Sequence, residues 1–177
     1  MPLNSGVRGS TVTTVVALAL DDHLRVAEAR RLVDGDPSEP YLSLAVFDAA
    51  QSSEIARCCA SLAVELAPIT IEISGLGTFQ GESPVIFAAV TLTEELRLLH
   101  ASVHKAFPEF PSRPYYEPGA WVPHITLGVC ETNSAAESMS SRLLPCTLRG
   151  KYTSSALLQV SVPPVSIEQR YELSGHT

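Results

Sequence analysis

The strongest constraint on this chain is an internal repeat. The segments "YLSLAVF" (Tyr41 to Phe47) and "HITLGVC" (His124 to Cys130) align residue for residue, with Ser43 opposite Thr126, Leu44 opposite Leu127 and Val46 opposite Val129. Polar and apolar side chains alternate at the start of each, so each reads as a strand with one polar face. Each is followed by a helical pattern and then by a pair of strands. A repeat of this kind predicts two similar lobes about a pseudo-two-fold axis, with the polar faces of the two strands turned toward each other.

The remaining patterns fill in those lobes. "TVTTVVALAL" (Thr11 to Leu20) is a buried strand. Asp21 and Asp22 are placed to cap "DHLRVAEARRLV", whose helical spacing runs through Leu24, Ala27, Leu32 and Val33. A turn, "DGDPSEP", holds Asp34, Asp36 and Glu39, any of which could bring a carboxylate near Tyr41. Residues 51–67 read as a helix with Ile55, Cys59, Leu62 and Leu66 on one stripe, and residues 93–107 as another, apolar at Leu96, Leu99, Val103 and Phe107. Strands over residues 69–79 and 84–92 are joined through "GLGTFQG", read as a hairpin-like turn because it lacks the G-K-[S/T] ending of a phosphate loop. A proline-rich aromatic loop precedes His124; a helix over residues 134–144 and three strands close the chain. The expected fold is α+β: two pseudo-symmetric lobes with antiparallel sheets around a central cleft and helices outside. Residues 1–177 are read as one bilobal domain, with residues 1–10 a flexible lead-in.

Composition narrows the function. With 177 residues and 45% apolar content, the chain can bury a core large enough to support a cleft. The formal net charge is −7 and the lysines and arginines are scattered, which argues against long nucleic acid but leaves room for a small phosphorylated ligand or nucleotide. Cys58, Cys59, Cys130 and Cys146 form no C-x-x-C and read as reduced thiols. "VVALAL" is too short to span a membrane, and the first residues lack a signal-peptide pattern. The expected setting is cytoplasmic, without a membrane contact; the sequence does not fix the oligomeric state.

The chemistry centres on His124 and Thr126, side by side on one strand face. Read alone, they are a core histidine and a strand threonine; the repeat gives them a counterpart in Tyr41 and Ser43. Paired imidazoles with paired hydroxyls suit phosphoryl chemistry, one ring taking a proton from water while the other returns one to the leaving oxygen. "WVPHITL", the repeat, and "LRLLHASVHKAF" between its halves resemble the two-histidine (2H) phosphoesterases, which include the 2′-5′ RNA ligase-like proteins. The resemblance spans roughly Thr11 to Leu173 and implies two H-x-[T/S] motifs in a bilobal fold. It implies hydrolysis of 2′,3′-cyclic phosphates or opening and forming of 2′-5′ phosphodiesters, generally without a metal or other cofactor. His124 and Thr126 match the second motif and inherit acid–base catalysis and phosphate binding; Ser43 matches the first-motif hydroxyl. Tyr41 stands where the pattern has histidine, and a tyrosine of pKa ~10 is a poor base beside a histidine of ~6.5. The first reading is therefore an altered phosphoesterase in which Tyr41 orients or weakly protonates the substrate. The alternatives are a catalytically silent relative that binds a phosphorylated ligand or partner, and a cleft recruited to another small-molecule reaction.

Other residues have two readings each. Tyr115, Tyr116 and Trp121 could stack on a base at the cleft mouth or pin the loop to the core, the latter favoured for Trp121. Arg113, Arg149 and Lys151 could meet a phosphate or only water. His100 and His104 have i, i+4 spacing, but Ala101 and the lack of a third ligand favour two solvated histidines over a metal site.

Overall fold

A computed structural model describes residues 12–48 and 51–176. The expected lead-in, residues 1–10, lies outside the described residues. Eight strands and four α-helices follow one another as β1 (Thr13–Ala19), α1 (Leu24–Leu32), β2 (Tyr41–Phe47), α2 (Ser52–Glu65), β3 (Ile69–Phe79), β4 (Val85–Val90), α3 (Glu94–Ala106), β5 (His124–Val129), α4 (Asn133–Leu143), β6 (Gly150–Ser154), β7 (Ala156–Val162) and β8 (Ser166–Glu172). A short 3₁₀ turn, Pro114–Tyr116, interrupts the loop before β5.

The strands form two antiparallel four-stranded sheets, ordered β2-β1-β7-β8 (sheet A) and β5-β4-β3-β6 (sheet B). The repeated strands β2 and β5 are thus edge strands in different sheets, and they lie against each other. The α+β, two-sheet architecture is the one the repeat predicts, but the lobes are not successive halves of the chain. Sheet B is one continuous stretch, β3 to β6, set between the first and last strand pairs of sheet A. The main core runs through both sheets and the helices, gathering Leu18, Leu42, Leu44, Ile71, Ile86, Leu96, Ile125 and Leu127. A second cluster, Val15, Ala17, Ala19, Leu158 and Val160, covers the opposite face of sheet A.

Three local readings change. Asp21 and Asp22 do not cap α1, whose N-cap is His23 with no side-chain cap bond; Asp21 instead accepts from the backbone N–H and hydroxyl of Ser155 (3.1 and 2.7 Å). The buried face of α1 carries Val26, Ala29 and Arg30, while Leu24 is 67% exposed. A stripe sought among aliphatic residues misses a face whose inner member is an arginine. β3 runs over Ile69–Phe79 as the strand reading has it, so of "GLGTFQG" only Gln80 and Gly81 belong to the connection. Glycine is needed within the strand because a Cβ at Gly77 would overlap the Phe87 ring. In α3 the expected residues Leu96, Leu99, Val103 and Phe107 are all buried, and Thr93 caps the helix by accepting from the Leu96 N–H.

Candidate functional site

The repeat extends to backbone detail. Opposite β1, Val16 pairs with Ala45 and Ala17 with Ser43, so Leu44 is the extra residue of a β-bulge. Opposite β4, Ile86 pairs with Gly128 and Phe87 with Thr126, so Leu127 is bulged in the same way. Each bulge follows the motif hydroxyl directly. Leu42 and Leu44, like Ile125 and Leu127, enter the main core, which leaves Tyr41, Ser43, His124 and Thr126 half-buried on the other faces of their strands.

Edge strands carry unpaired backbone groups that must be satisfied. On β2 the Ser43 carbonyl accepts from the Trp121 indole N–H (3.2 Å), and the Leu44 carbonyl lies 3.0 Å from His100 Nε2 and 3.1 Å from His104 Nε2. Farther along, the Val46 N–H donates to the Ser112 hydroxyl and the Val46 carbonyl accepts from the Arg113 N–H. On β5 the Thr126 carbonyl accepts from Arg30 Nε at 2.9 Å. Gly35 packs directly on the Leu127 carbonyl, leaving no room for a side chain.

His124 stands among aromatic rings: Phe79 at 4.9 Å and Phe87 at 5.4 Å between centroids, both edge-on, with Tyr116 at 6.4 Å. Its Nδ1–H donates to the Val122 carbonyl at 2.7 Å, which fixes the tautomer and leaves the Nε2 lone pair without a hydrogen-bond partner among the described residues. Burial lowers its pKa from the ordinary value, against the opposing pull of the Val122 carbonyl, so the ring is neutral at neutral pH. His124 and Thr126 line a pocket of about 510 Å³ with Phe79, Tyr115, Tyr116 and Val122. That volume lies in the range of small-molecule sites.

The pocket does not gather every expected residue. Tyr41 and Ser43 are absent from its wall; they pair with Ala19 and Ala17, and Tyr41 packs on the apolar cluster of sheet A. Tyr116 packs on both apolar clusters, and its ring lies 6.4 Å from that of His124. Burial raises the Tyr41 pKa, partly offset by Arg30, and the phenol is protonated at neutral pH. Tyr115 lines the pocket and is 82% exposed. Trp121 is 7% exposed and stacks on His100 at 3.9 Å, so it pins the loop and does not stand at the mouth of the cleft. Arg113 is turned away to a fork on Asp48. His100 is not solvated: at 3% exposure, burial and the neighbouring His104 push its pKa down to about 4, against the backbone at Leu44. Among the described residues, no group of three or more His, Cys, Asp or Glu side chains is placed to hold a metal ion. Arg30 is the residue that sequence reasoning misses, counted there as one scattered surface cation.

Two antiparallel sheets meeting along repeated, bulged edge strands, with a histidine and a threonine on one of them, define a 2H phosphoesterase-like protein. The family model described as the 2′-5′ RNA ligase superfamily matches residues 18–161, and the chain belongs to that family. Among solved structures, the chain is similar to TT0787 of Thermus thermophilus (19% identity, 93% of this chain and 100% of that one, TM-score 0.64). It is also similar to E. coli LigT complexed with 3′-AMP (13% identity, 91% and 97% covered, TM-score 0.61) and to Kluyveromyces marxianus Usb1 with uridine monophosphate (13%, 92% and 98%, TM-score 0.52). No curated protein matches. Among the described residues, no helix is long and apolar enough to cross a membrane.

Proposed function

We propose that the protein hydrolyses a small phosphodiester, of 2′,3′-cyclic or 2′-5′-linked type, by acid–base chemistry of the metal-independent kind that its family implies. The observation that carries this is the His124 ring, whose Nδ1–H is committed to Val122, whose Nε2 has no hydrogen-bond partner among the described residues, and which lines a pocket together with Thr126. Nε2 takes a proton from water as the water oxygen bonds to phosphorus. The bond from phosphorus to the leaving ribose oxygen breaks, and that oxygen takes up a proton, giving a phosphate monoester and a free hydroxyl. Thr126 and Ser43 donate hydrogen bonds to the non-bridging oxygens. Tyr41, kept protonated by burial, orients the substrate or gives the leaving oxygen its proton, and is reprotonated from the His124 imidazolium through water. Tyr115 and Tyr116 offer ring faces to a base. The 3′-AMP and uridine monophosphate named with the similar structures support a small phosphorylated ligand.

Tyr41 also favours a second reading, a silent relative that binds such a ligand without turning it over. Hydrolysis of 2′,3′-cyclic nucleotides by wild type, His124→Ala and Tyr41→His decides between the two. Turnover by wild type that falls by about a hundredfold or more in His124→Ala supports the enzyme. An inert wild type that gains activity as Tyr41→His supports the silent binder.

A further inference from the structure

Among the described residues, Arg30 is the only arginine or lysine that is buried, at 5% exposure. A buried guanidinium ordinarily finds a carboxylate, because an uncompensated charge in the interior is costly. Among the described residues, Arg30 has none in contact. Its Nε donates to the Thr126 carbonyl (2.9 Å) and its Nη1 to the Ser38 carbonyl (2.9 Å), with the Asp36 carbonyl at 3.5 Å. Asp36, the acidic group that faces it, has Oδ1 committed to the Ser38 N–H at 2.7 Å, and Nη2 has no hydrogen-bond partner among the described residues. The charge therefore sits at the seam between the approach to Tyr41 and the middle of β5, against the Thr126 carbonyl. The pocket wall itself carries no lysine or arginine.

We propose that Arg30 is a positioning residue of this site, supplying from its seat on the Thr126 carbonyl the positive potential that holds a phosphodiester anion between Tyr41 and Thr126. The inference rests on the reading of the cleft as a phosphodiester site. A buried charge is screened far less by solvent and salt than one on the surface, so a single guanidinium suffices for an ester that carries one negative charge. Its fixed hold on two backbone carbonyls keeps it in place whether or not a ligand is bound. The groups that face Tyr41 are Arg30, Asp36 and Tyr116, and of these only Arg30 favours its ionised form.

The test uses the full chain and two readouts that need no turnover. One is calorimetric binding of 3′-AMP. The other is ultraviolet titration of the tyrosines at alkaline pH, with Tyr41→Phe identifying the Tyr41 step. Wild type is compared with Arg30→Lys, Arg30→Met and Arg30→Gln, each with a thermal unfolding curve. Arg30→Lys is expected to bind within about threefold of wild type, whereas Arg30→Met and Arg30→Gln lose about tenfold or more and shift the Tyr41 titration to higher pH. Arg30→Gln can still donate a hydrogen bond to the backbone, so it separates charge from packing if Arg30→Met folds poorly. Equal losses in Arg30→Lys and Arg30→Met that track thermal stability would reduce Arg30 to a structural clamp and overturn the proposal. Unchanged binding and titration in Arg30→Gln overturn it as well. A wild type that neither binds 3′-AMP nor turns over a 2′,3′-cyclic nucleotide, while its Tyr41 titration still responds to Arg30, overturns the phosphodiester reading and leaves the Arg30–Tyr41 coupling standing.

Discussion

β2 and β5 are two copies of one design, finished differently. Both are edge strands, both bulge at the leucine after the motif hydroxyl, and both have the carbonyl of the hydroxyl residue capped by a side chain from outside the sheet. On β2 the cap is an indole stacked on a neutral imidazole, an uncharged aromatic plug; on β5 it is a guanidinium. The half-buried motif positions differ too, a phenol that stays protonated against an imidazole whose Nε2 has no hydrogen-bond partner among the described residues. The backbone needs of a bulged edge are generic and can be met by any donor, so the two strands share the bulge while their side chains differ. Under the proposed function, proton acceptance falls to the β5 side, and β2 contributes hydrogen bonds and shape.

That division can be broken most sharply at the two hydroxyls. Thr126→Val should cost about a hundredfold in turnover of a cyclic nucleotide, on the scale of losing one preorganised donor. Ser43→Ala, off the pocket wall, should cost less than about tenfold; equal losses in steady-state rates would mean that the lobes share the phosphate evenly. The aromatic bed of His124 is tested next. Gly77→Ala drives a methyl group into Phe87, with an expected destabilisation of about 1–3 kcal/mol by denaturant unfolding. It should also lower the rate, because Phe87 and His124 are in contact; an unchanged rate would show that the ring bed does not position the base.

The plug on β2 should reveal itself through pH. His100 has its pKa lowered to about 4, so the unfolded chain, with a histidine near 6.5, binds more protons than the native one between these values. Stability due to neutral His100 is therefore complete above about pH 6.5 and is lost progressively as pH falls toward 4. Thermal unfolding midpoints across this range should fall less steeply in His100→Gln than in wild type. Parallel curves would assign the acid sensitivity elsewhere.

Strand identity, most helix faces and the pairing of Tyr41 with His124 are legible in the sequence because they rest on period and repeat. The face of α1 is not, because it includes Arg30, and no hydropathy pattern marks a charge that is buried for the sake of two carbonyls. "GLGTFQG" looks like a turn because glycine is usually punctuation; only the position of Phe87, ten residues after Gly77, reveals that its job is clearance. Trp121 reads correctly as a loop anchor, while His100 reads as a solvent-facing histidine. Its partners, Leu44 and Trp121, lie far off in sequence, and side-chain bonds to a distant edge strand leave no local trace. His124 and Thr126 emerge through their family motif, whereas the absence of Tyr41 and Ser43 from their pocket wall is a matter of tertiary packing that leaves no local trace.

The way sheet B is set into sheet A bears on how the cleft can move. β6 ends at Ser154 and β7 begins at Ala156, so the chain returns from one sheet to the other across a single residue. Ser155 is tied on every side: its N–H and hydroxyl to the Asp21 carboxylate, its carbonyl to the Leu173 N–H. A hinge needs a few residues whose backbone angles are free to change, and this junction offers none. The two walls of the cleft are thus joined like the covers of a stiffly bound book. Any change in its spacing falls to the other crossing between the sheets, residues 66–68, where α2 hands over to β3.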